Sequence, residues 1–459
     1  MISLTLAAVI VFVLAQLAIG AWVARRVRSD DDYLLAGRRL GVFLAGFSIF
    51  AGWFAGESIL GASAAIRDEG LAGGRADPVG YALALLLLGA FLAARLRRTN
   101  AMTLPNALRA RFGVGVERLT ALITIPTTAL YAGAQVRAFG QIIEHLSPLG
   151  IVASIVVATL VVVVYTTMGG LLGDVYTDLV QGIIILVGVL VLLIAIMMHL
   201  GGPVESLSLI SRDQLTLVAP GESAFARFDV WLVPVIGALV VQETISRVLA
   251  CRTEKGARRS AFFGGWLYLV FGAVPVLIGL LGAHVMVQDG EGEAFIPAIA
   301  TQLLPPALHV VFLGALVAAL LSTIDSSLLA VGAVVSSDLA PAVSKHLNPR
   351  QRLLIARCAT VLTGVAACAL ALANDGIYDI VLMADGLGTA GIAVVAIAAM
   401  WIPFGGKWAA GSALVGAFAT AFTLGNFTEF EAPFVASLVV AIVLYAVVGA
   451  GERLRARDA

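Results

Sequence analysis

One run of this chain, Ala318-Ala319-Leu320-Leu321-Ser322-Thr323-Ile324-Asp325-Ser326-Ser327, concentrates hydroxyl and carboxylate oxygens inside an otherwise apolar stretch. On a helix Ala319, Ser322 and Thr323 share one face, three and four residues apart. Two hydroxyls and a main-chain carbonyl make a donor set for a small hard cation, because such ions take oxygen ligands. A hydroxyl in an apolar helix also bonds back to its own backbone, so the cluster alone reads either way. Glu57, Gln135, Arg137 and Asp385 are further polar groups in apolar surroundings. Charged groups in such places normally face a bundle interior or a cavity. Unpaired, Glu57 and Arg137 would attract the amine and the carboxylate of a zwitterion; paired with each other, they would leave a pocket for a neutral solute. Asp385, beside Gly386 and Gly388, also reads as part of a helix kink.

The elements that must position these groups follow from composition. Of 459 residues, 60% are hydrophobic and 13% charged, where a soluble domain carries about 25% charged. Mean hydropathy is +1.00. That much apolar surface excludes a cytosolic enzyme, a disordered chain and a nucleic-acid binder, and points to an all-α polytopic membrane protein. A membrane helix needs about 20 apolar residues. Thirteen stretches qualify, at 2–24, 41–66, 79–97, 117–144, 149–168, 178–199, 228–250, 260–287, 307–336, 353–373, 377–402, 407–425 and 431–450. Positive charge follows the first stretch rather than preceding it, so 2–24 reads as a retained span and not a cleaved signal. Cys251, Cys358 and Cys368 have no metal-type spacing and read as small core residues plus one loop thiol.

Lys+Arg and Asp+Glu number 29 each, so the net charge of zero says nothing about partners. Their distribution does. With the N-terminus outside, 24 of the 29 basic residues fall on the inside, all but Arg67, Arg75, Arg137, Arg212 and Arg227. This positive-inside bias gives the expectation of a multi-pass protein of the cell's inner (plasma) membrane with a cytoplasmic C-terminus.

Two expected spans carry helix-weakening residues near their middles. The second has Gly46, Gly52, Gly56 and Gly61 around Glu57 and Ser58; the seventh has Pro234 and Gly237. Freed backbone groups at membrane depth are tolerated where they line a cavity or bind an ion. Matched breaks five spans apart point to a transporter's central site, although glycine in membrane helices also serves close packing. The breaks place Glu57, Ser58, Gln135, Arg137 and Trp231 around the expected solute.

At these residues the chain resembles the sodium/solute symporter family, the sodium-coupled carriers of sugars, proline, choline and sialic acid. The resemblance runs from about residue 30 to 400. It rests on Asp32-Tyr33-Leu34-Leu35-Ala36-Gly37-Arg38, on Thr103-Leu104-Pro105 with Arg109-Ala110-Arg111-Phe112-Gly113, and on Tyr165-Thr166-Thr167-Met168-Gly169-Gly170 with Thr177-Asp178. Arg247-Val248-Leu249-Ala250 and Ala319-Leu320-Leu321-Ser322-Thr323 complete it, in the family's order. It implies a leucine-transporter-like fold: two inverted five-helix repeats at 41–199 and 228–402, one extra helix at 2–24 before them and two at 407–450 after. It implies a sodium ion on the carbonyls of Ala51, Phe54 and Ala319 and the hydroxyls of Ser322 and Thr323. It further implies a second sodium on Asp178, Ser322, Asp325 and Ser326, with a structural role for Asp178 as the alternative.

The expected function is sodium-coupled symport of a small organic solute by alternating access, with no obligate protein partner evident. A proton-coupled carrier using Glu57 or Asp325 is the alternative on the same fold. A non-transporting membrane sensor would usually carry a signalling domain, and this chain stops soon after its last span. Nothing suggests an enzyme: the five histidines are scattered and no nucleophile elbow occurs.

Overall fold

The computed structural model describes residues 4–25, 27, 29–285, 292–343, 347–373, 384 and 386–458. Among them the regular elements are all helical, joined by turns and loops. The helices that position the site are α1 (Leu4–Ala24), α2 (Val42–Trp53), α3 (Glu57–Glu69), α4 (Leu71–Arg98), α5 (Val114–Leu146), α6 (Ile151–His199) and α7 (Ala224–Val240). They continue with α8 (Gln242–Leu249), α9 (Glu254–Gly282), α10 (Pro306–Ala342), α11 (Pro349–Ala373), α12 (Thr389–Trp401), α13 (Lys407–Phe427) and α14 (Pro433–Asp458).

Eight of these are long and apolar enough to cross a membrane, or up to ten if each of two bent pairs counts as one span. Ile10–Val23 and Thr389–Trp401 are shorter apolar helices. The expected spans 149–168 and 178–199 are one 49-residue helix, α6, divided at Gly170 (φ 58°, ψ −166°). Positive φ suits a residue without Cβ. A Cβ here would also lie 2.6 Å from the Tyr33 carbonyl oxygen. Residues 377–383 of the expected span 377–402, and Asp385, lie outside the described residues.

The two expected breaks are real. The α2–α3 pair bends by 54° and the α7–α8 pair by 41°. The first break falls at Phe54–Ala55, just before Gly56. The second falls at Val241 (φ −63°, ψ 124°), beyond the wide turn at Val233–Gly237 that holds Pro234. The start of α2 is tied to the end of α8: Leu40 N–H donates to the Ala250 carbonyl and Arg252 N–H to the Leu40 carbonyl, both at 3.1 Å.

α6 and α10 share the most extensive packing, α2 lies against α6, α9 and α10, and α1 covers α6. Without a hydrophobic force between helices in lipid, close approach of small residues supplies the contact. Gly182 of α6 is such a point, since a Cβ there would meet Phe47 at 2.5 Å and Ala51 at 3.1 Å. α13 and α14 pack chiefly on each other.

Candidate functional site

Both breaks open onto one cavity, in the concave setting usual for small-molecule sites. Its wall is chemically divided. Trp53, Tyr81 and Tyr268 form an aromatic corner, with ring centroids 5.7 Å (Trp53–Tyr81), 6.4 Å (Trp53–Tyr268) and 6.1 Å (Tyr81–Tyr268) apart in edge-on arrangements. Thr124, Thr127 and Thr128 bring hydroxyls from α5. Among the described residues two carboxylates, Glu57 and Glu243, line the cavity and no lysine or arginine does.

Neutral groups hold Glu57. The Tyr131 hydroxyl donates to one carboxylate oxygen and Gln135 Nε2 donates to the other at 2.7 Å. Glu243 accepts from Ser327 Oγ at 3.0 Å on Oε1, while its buried Oε2 has no partner. Behind the aromatic corner, Ser58 Oγ shares a proton with the Tyr268 hydroxyl at 2.6 Å, and that hydroxyl lies 3.3 Å from Asp77.

Thr323 stands at the inner edge of the cavity. Its hydroxyl lies 3.1 Å from the Gly52 carbonyl at the end of α2 and 3.1 Å from the Ala319 carbonyl one turn back. Thr323 thus back-bonds within its own helix and also bridges to the broken helix. The neighbouring Ser322 hydroxyl donates to Asp178 Oδ1. A hydroxyl has one proton and two lone pairs, so donating to Asp178 leaves the Ser322 oxygen able to accept or to ligate. Ala51, Phe54 and Ala319 are fully buried around the same break. The Phe54 ring stacks on Phe50 at 5.2 Å and joins the aromatic corner edge-on to Tyr268.

Deeper lies a charge cluster. Arg247, 2% exposed, does not belong with the loop cations where its motif position suggests. Its Nη2 reaches Asp174 at 2.9 Å, Asp178 at 2.8 Å and Ser326 Oγ at 2.6 Å; Nε reaches Ser48 Oγ at 2.6 Å, and Nη1 the Glu243 carbonyl at 3.1 Å. A buried guanidinium needs this many acceptors because its desolvation is expensive. One side chain thus ties α8 to α2, α6 and α10.

The structure joins Thr323 to the Gly52 carbonyl, between Ala51 and Phe54 in the chain, and to the Ala319 carbonyl, and it brings Asp178, Asp325 and Ser326 to the adjacent charge cluster. Of the residues expected around the solute, Glu57 lines the cavity, and Ser58 and Gln135 stand directly behind it. Arg137 and Trp231 do not line it. The Glu57–Arg137 ion pair is not formed: Arg137 donates instead to the Ala371 carbonyl at 2.8 Å. Sequence reasoning missed Tyr81, Tyr131, Tyr268, Asp174 and Glu243. Spacing held a signal for some of them, since Asp174/Asp178 and Glu243/Arg247 are each one helical turn apart. Cys251, expected as a loop thiol, is buried between α8 and α9, and burial pushes its pKa up to about 11.

Residues 33–419 match the model of the sodium:solute symporter family. The chain belongs to that family. Among curated proteins, this symporter is similar to the high-affinity choline transporter 1 of Caenorhabditis elegans (25% identity, covering 82% of this chain and 70% of that protein). It is similar to the human high affinity choline transporter 1 (26%; 82% and 69%) and the human sodium/iodide cotransporter (26%; 78% and 59%). Among solved structures it resembles a Na+-coupled sialic acid symporter in a substrate-bound outward-open state, with a TM-score of 0.84 at 17% identity over 97% of both chains. A nucleobase-cation-symport-1 family transporter in a closed conformation gives a TM-score of 0.65 at 15% identity, over 93% and 95%. The fold is leucine-transporter-like, and the symporter couples solute movement to sodium by alternating access.

Proposed function

We propose that this symporter carries a small organic cation of the choline type. The observation behind it is the cavity wall: aromatic rings and two carboxylates, with no basic side chain among the described residues. A quaternary ammonium is attracted by ring faces, by about 2 kcal/mol or more where desolvated. The carboxylates repel anionic solutes, and the threonine side suits a hydroxyl at the far end of the molecule. The relatives named choline transporters agree with this reading. Uptake of labelled choline into proteoliposomes under a sodium gradient tests it, against proline, glucose and lactate. Choline should be taken up and Glu57→Gln should raise its half-saturation concentration by roughly tenfold. Proline or glucose uptake with no choline uptake would refute the reading.

The coupling sodium would sit on the carbonyls of Ala51, Phe54 and Ala319 and the hydroxyls of Ser322 and Thr323. Support comes from the contacts of Thr323 with the Gly52 and Ala319 carbonyls and from Asp178, which takes the Ser322 proton. There the ion would pin α2 to α10. The repeats would be 41–199 and 228–402, with thirteen spans once α6 is divided at Gly170. The N-terminus would be outside and the C-terminus inside the cell's inner membrane. With Arg247 removed from the loop count, the basic bias still favours that orientation.

A further inference from the structure

We propose that Glu243 is the specificity-determining residue of the cavity: its carboxylate takes a hydrogen bond from the solute, so the carried cation must bear a free O–H or N–H. This rests on the organic-cation reading and narrows it.

Glu57 and Glu243 both line the cavity, yet their carboxylates are held differently. Each Glu57 oxygen already accepts a proton, one from the Tyr131 hydroxyl and the other from Gln135 Nε2. Glu243, 5% exposed, accepts from Ser327 with Oε1, while its buried Oε2 has no partner. A carboxylate accepts at both oxygens, and a buried polar atom without a partner is uncommon enough to need a reason. Glu57 therefore supplies negative charge with both oxygens in use, whereas Glu243 has one oxygen in reserve.

The chain itself does not fill that place. Arg247, one turn further along α8, directs its guanidinium to Asp174, Asp178, Ser48, Ser326 and the Glu243 main-chain carbonyl. Other donors on the cavity wall are spent as well. Thr124 donates to the Thr120 carbonyl at 3.0 Å and Thr127 to the Thr124 carbonyl at 2.8 Å, both within α5. Gln242 Nε2 donates to Ser246 Oγ at 3.0 Å, and the Thr323 hydroxyl lies against two main-chain carbonyls. A donor brought by the solute completes Glu243 without breaking any of these bonds.

Glu243 is also held in place before the solute arrives. It lies in the first turn of α8, directly after the break at Val241. The Leu104 N–H donates to Gln242 Oε1 at 2.9 Å and fixes the start of that helix, and Ser327 fixes one carboxylate oxygen. A preorganised acceptor loses little freedom on binding, and a charge-assisted hydrogen bond is about twice as strong as a neutral one. A site that hydrogen-bonds a solute group rejects the analogue lacking it, because its own buried atom is then left unpaired. A solute carboxylate would face Glu243 with like charge. The cavity thus selects hydroxylated or protonated cations over fully capped ammoniums and over zwitterions.

The test is calorimetric binding to the purified full-length protein in saturating sodium, with choline, its methyl ether (the same charge without the hydroxyl proton) and betaine as probes. Wild type should bind choline at least about tenfold tighter than the ether, and betaine more weakly than either. Glu243→Gln keeps the size of the side chain but loses the charged acceptor. Choline should weaken in it, and the preference over the ether should fall below about twofold; a preference of steric origin would survive. Equal affinity of wild type for choline and its ether, a preference unchanged in Glu243→Gln, or betaine binding as tightly as choline would overturn the assignment while leaving the organic-cation reading intact. Binding of neither choline nor its ether to wild type would overturn both. If Glu243→Gln does not fold, Glu243→Asp decides: its carboxylate is drawn back by one methylene, and an unchanged preference overturns the assignment.

Discussion

At the scale of single residues, Thr323 and Arg247 make opposite kinds of contribution. The Thr323 hydroxyl joins the ends of two helices through main-chain carbonyls. A neutral hydrogen bond of this kind contributes only about 1 kcal/mol to stability, so Thr323→Val should fold with little change in melting temperature. It should nevertheless raise the sodium concentration for half-maximal uptake by at least about tenfold. A sodium dependence unchanged from wild type would remove Thr323 from the ion site. Arg247 is structural in the first instance. Arg247→Met strands Asp174 and Asp178 without their counter-charge, and breaking a buried pair costs about 3–5 kcal/mol. The expected result is a large drop in melting temperature by thermal unfolding in detergent. Arg247→Lys should not rescue it, because a point charge cannot reproduce the forked contacts.

At the scale of elements, the bent pairs and the kinked α6 put the site where it is. A helix that stops leaves its last carbonyls without amide partners, and the end of α2 is where the Gly52 carbonyl meets Thr323. α6 must turn at Gly170 to pass Tyr33 and still present Asp174 and Asp178 to Arg247. Gly170→Ala forces a side chain into positive φ and against the Tyr33 carbonyl. A loss of about 1–3 kcal/mol is expected from the backbone alone, measurable as a lower melting temperature. Gly182→Leu should act differently. It would wedge α6 from α2 at Ala51, so ligand-independent stability should fall modestly while sodium-induced stabilisation disappears. If sodium still raises the melting temperature of Gly182→Leu as in wild type, the α2–α6 contact does not shape the ion site.

At the scale of the whole molecule, coupling is a statement about free energy. One charge crossing a ~100 mV potential releases about 2.3 kcal/mol, and a tenfold sodium gradient adds about 1.4 kcal/mol. One ion could therefore sustain roughly a 500-fold solute gradient. Binding free energies are reciprocal, so the factor by which saturating sodium tightens choline binding must equal the factor by which choline tightens sodium binding; calorimetry of both titrations checks it. Much of this architecture was legible in the sequence. Hydropathy marked the spans because lipid demands about 20 apolar residues in a row. The motifs marked the family, and glycine and proline marked both bent pairs, since they weaken the helical ladder locally. Pairing was not legible, because it depends on which helix faces meet. Glu57 and Arg137 look like partners by charge, yet the fold gives Glu57 to Tyr131 and Gln135 and Arg137 to a main-chain carbonyl. Arg247 sits at the end of a span, where charge patterning assigns it to a loop, and only the return of α8 beside Leu40 draws it inward. Tyr81 and Tyr268 lie on α4 and α9, far apart in the chain and unremarkable there, and become an aromatic corner only against Trp53. The sequence by itself determined the solvent of each segment and the places where helices break, because those are local properties of composition. The tertiary structure decided which charges are neutralised and which oxygens are left over, because burial and partner choice are properties of the packed bundle.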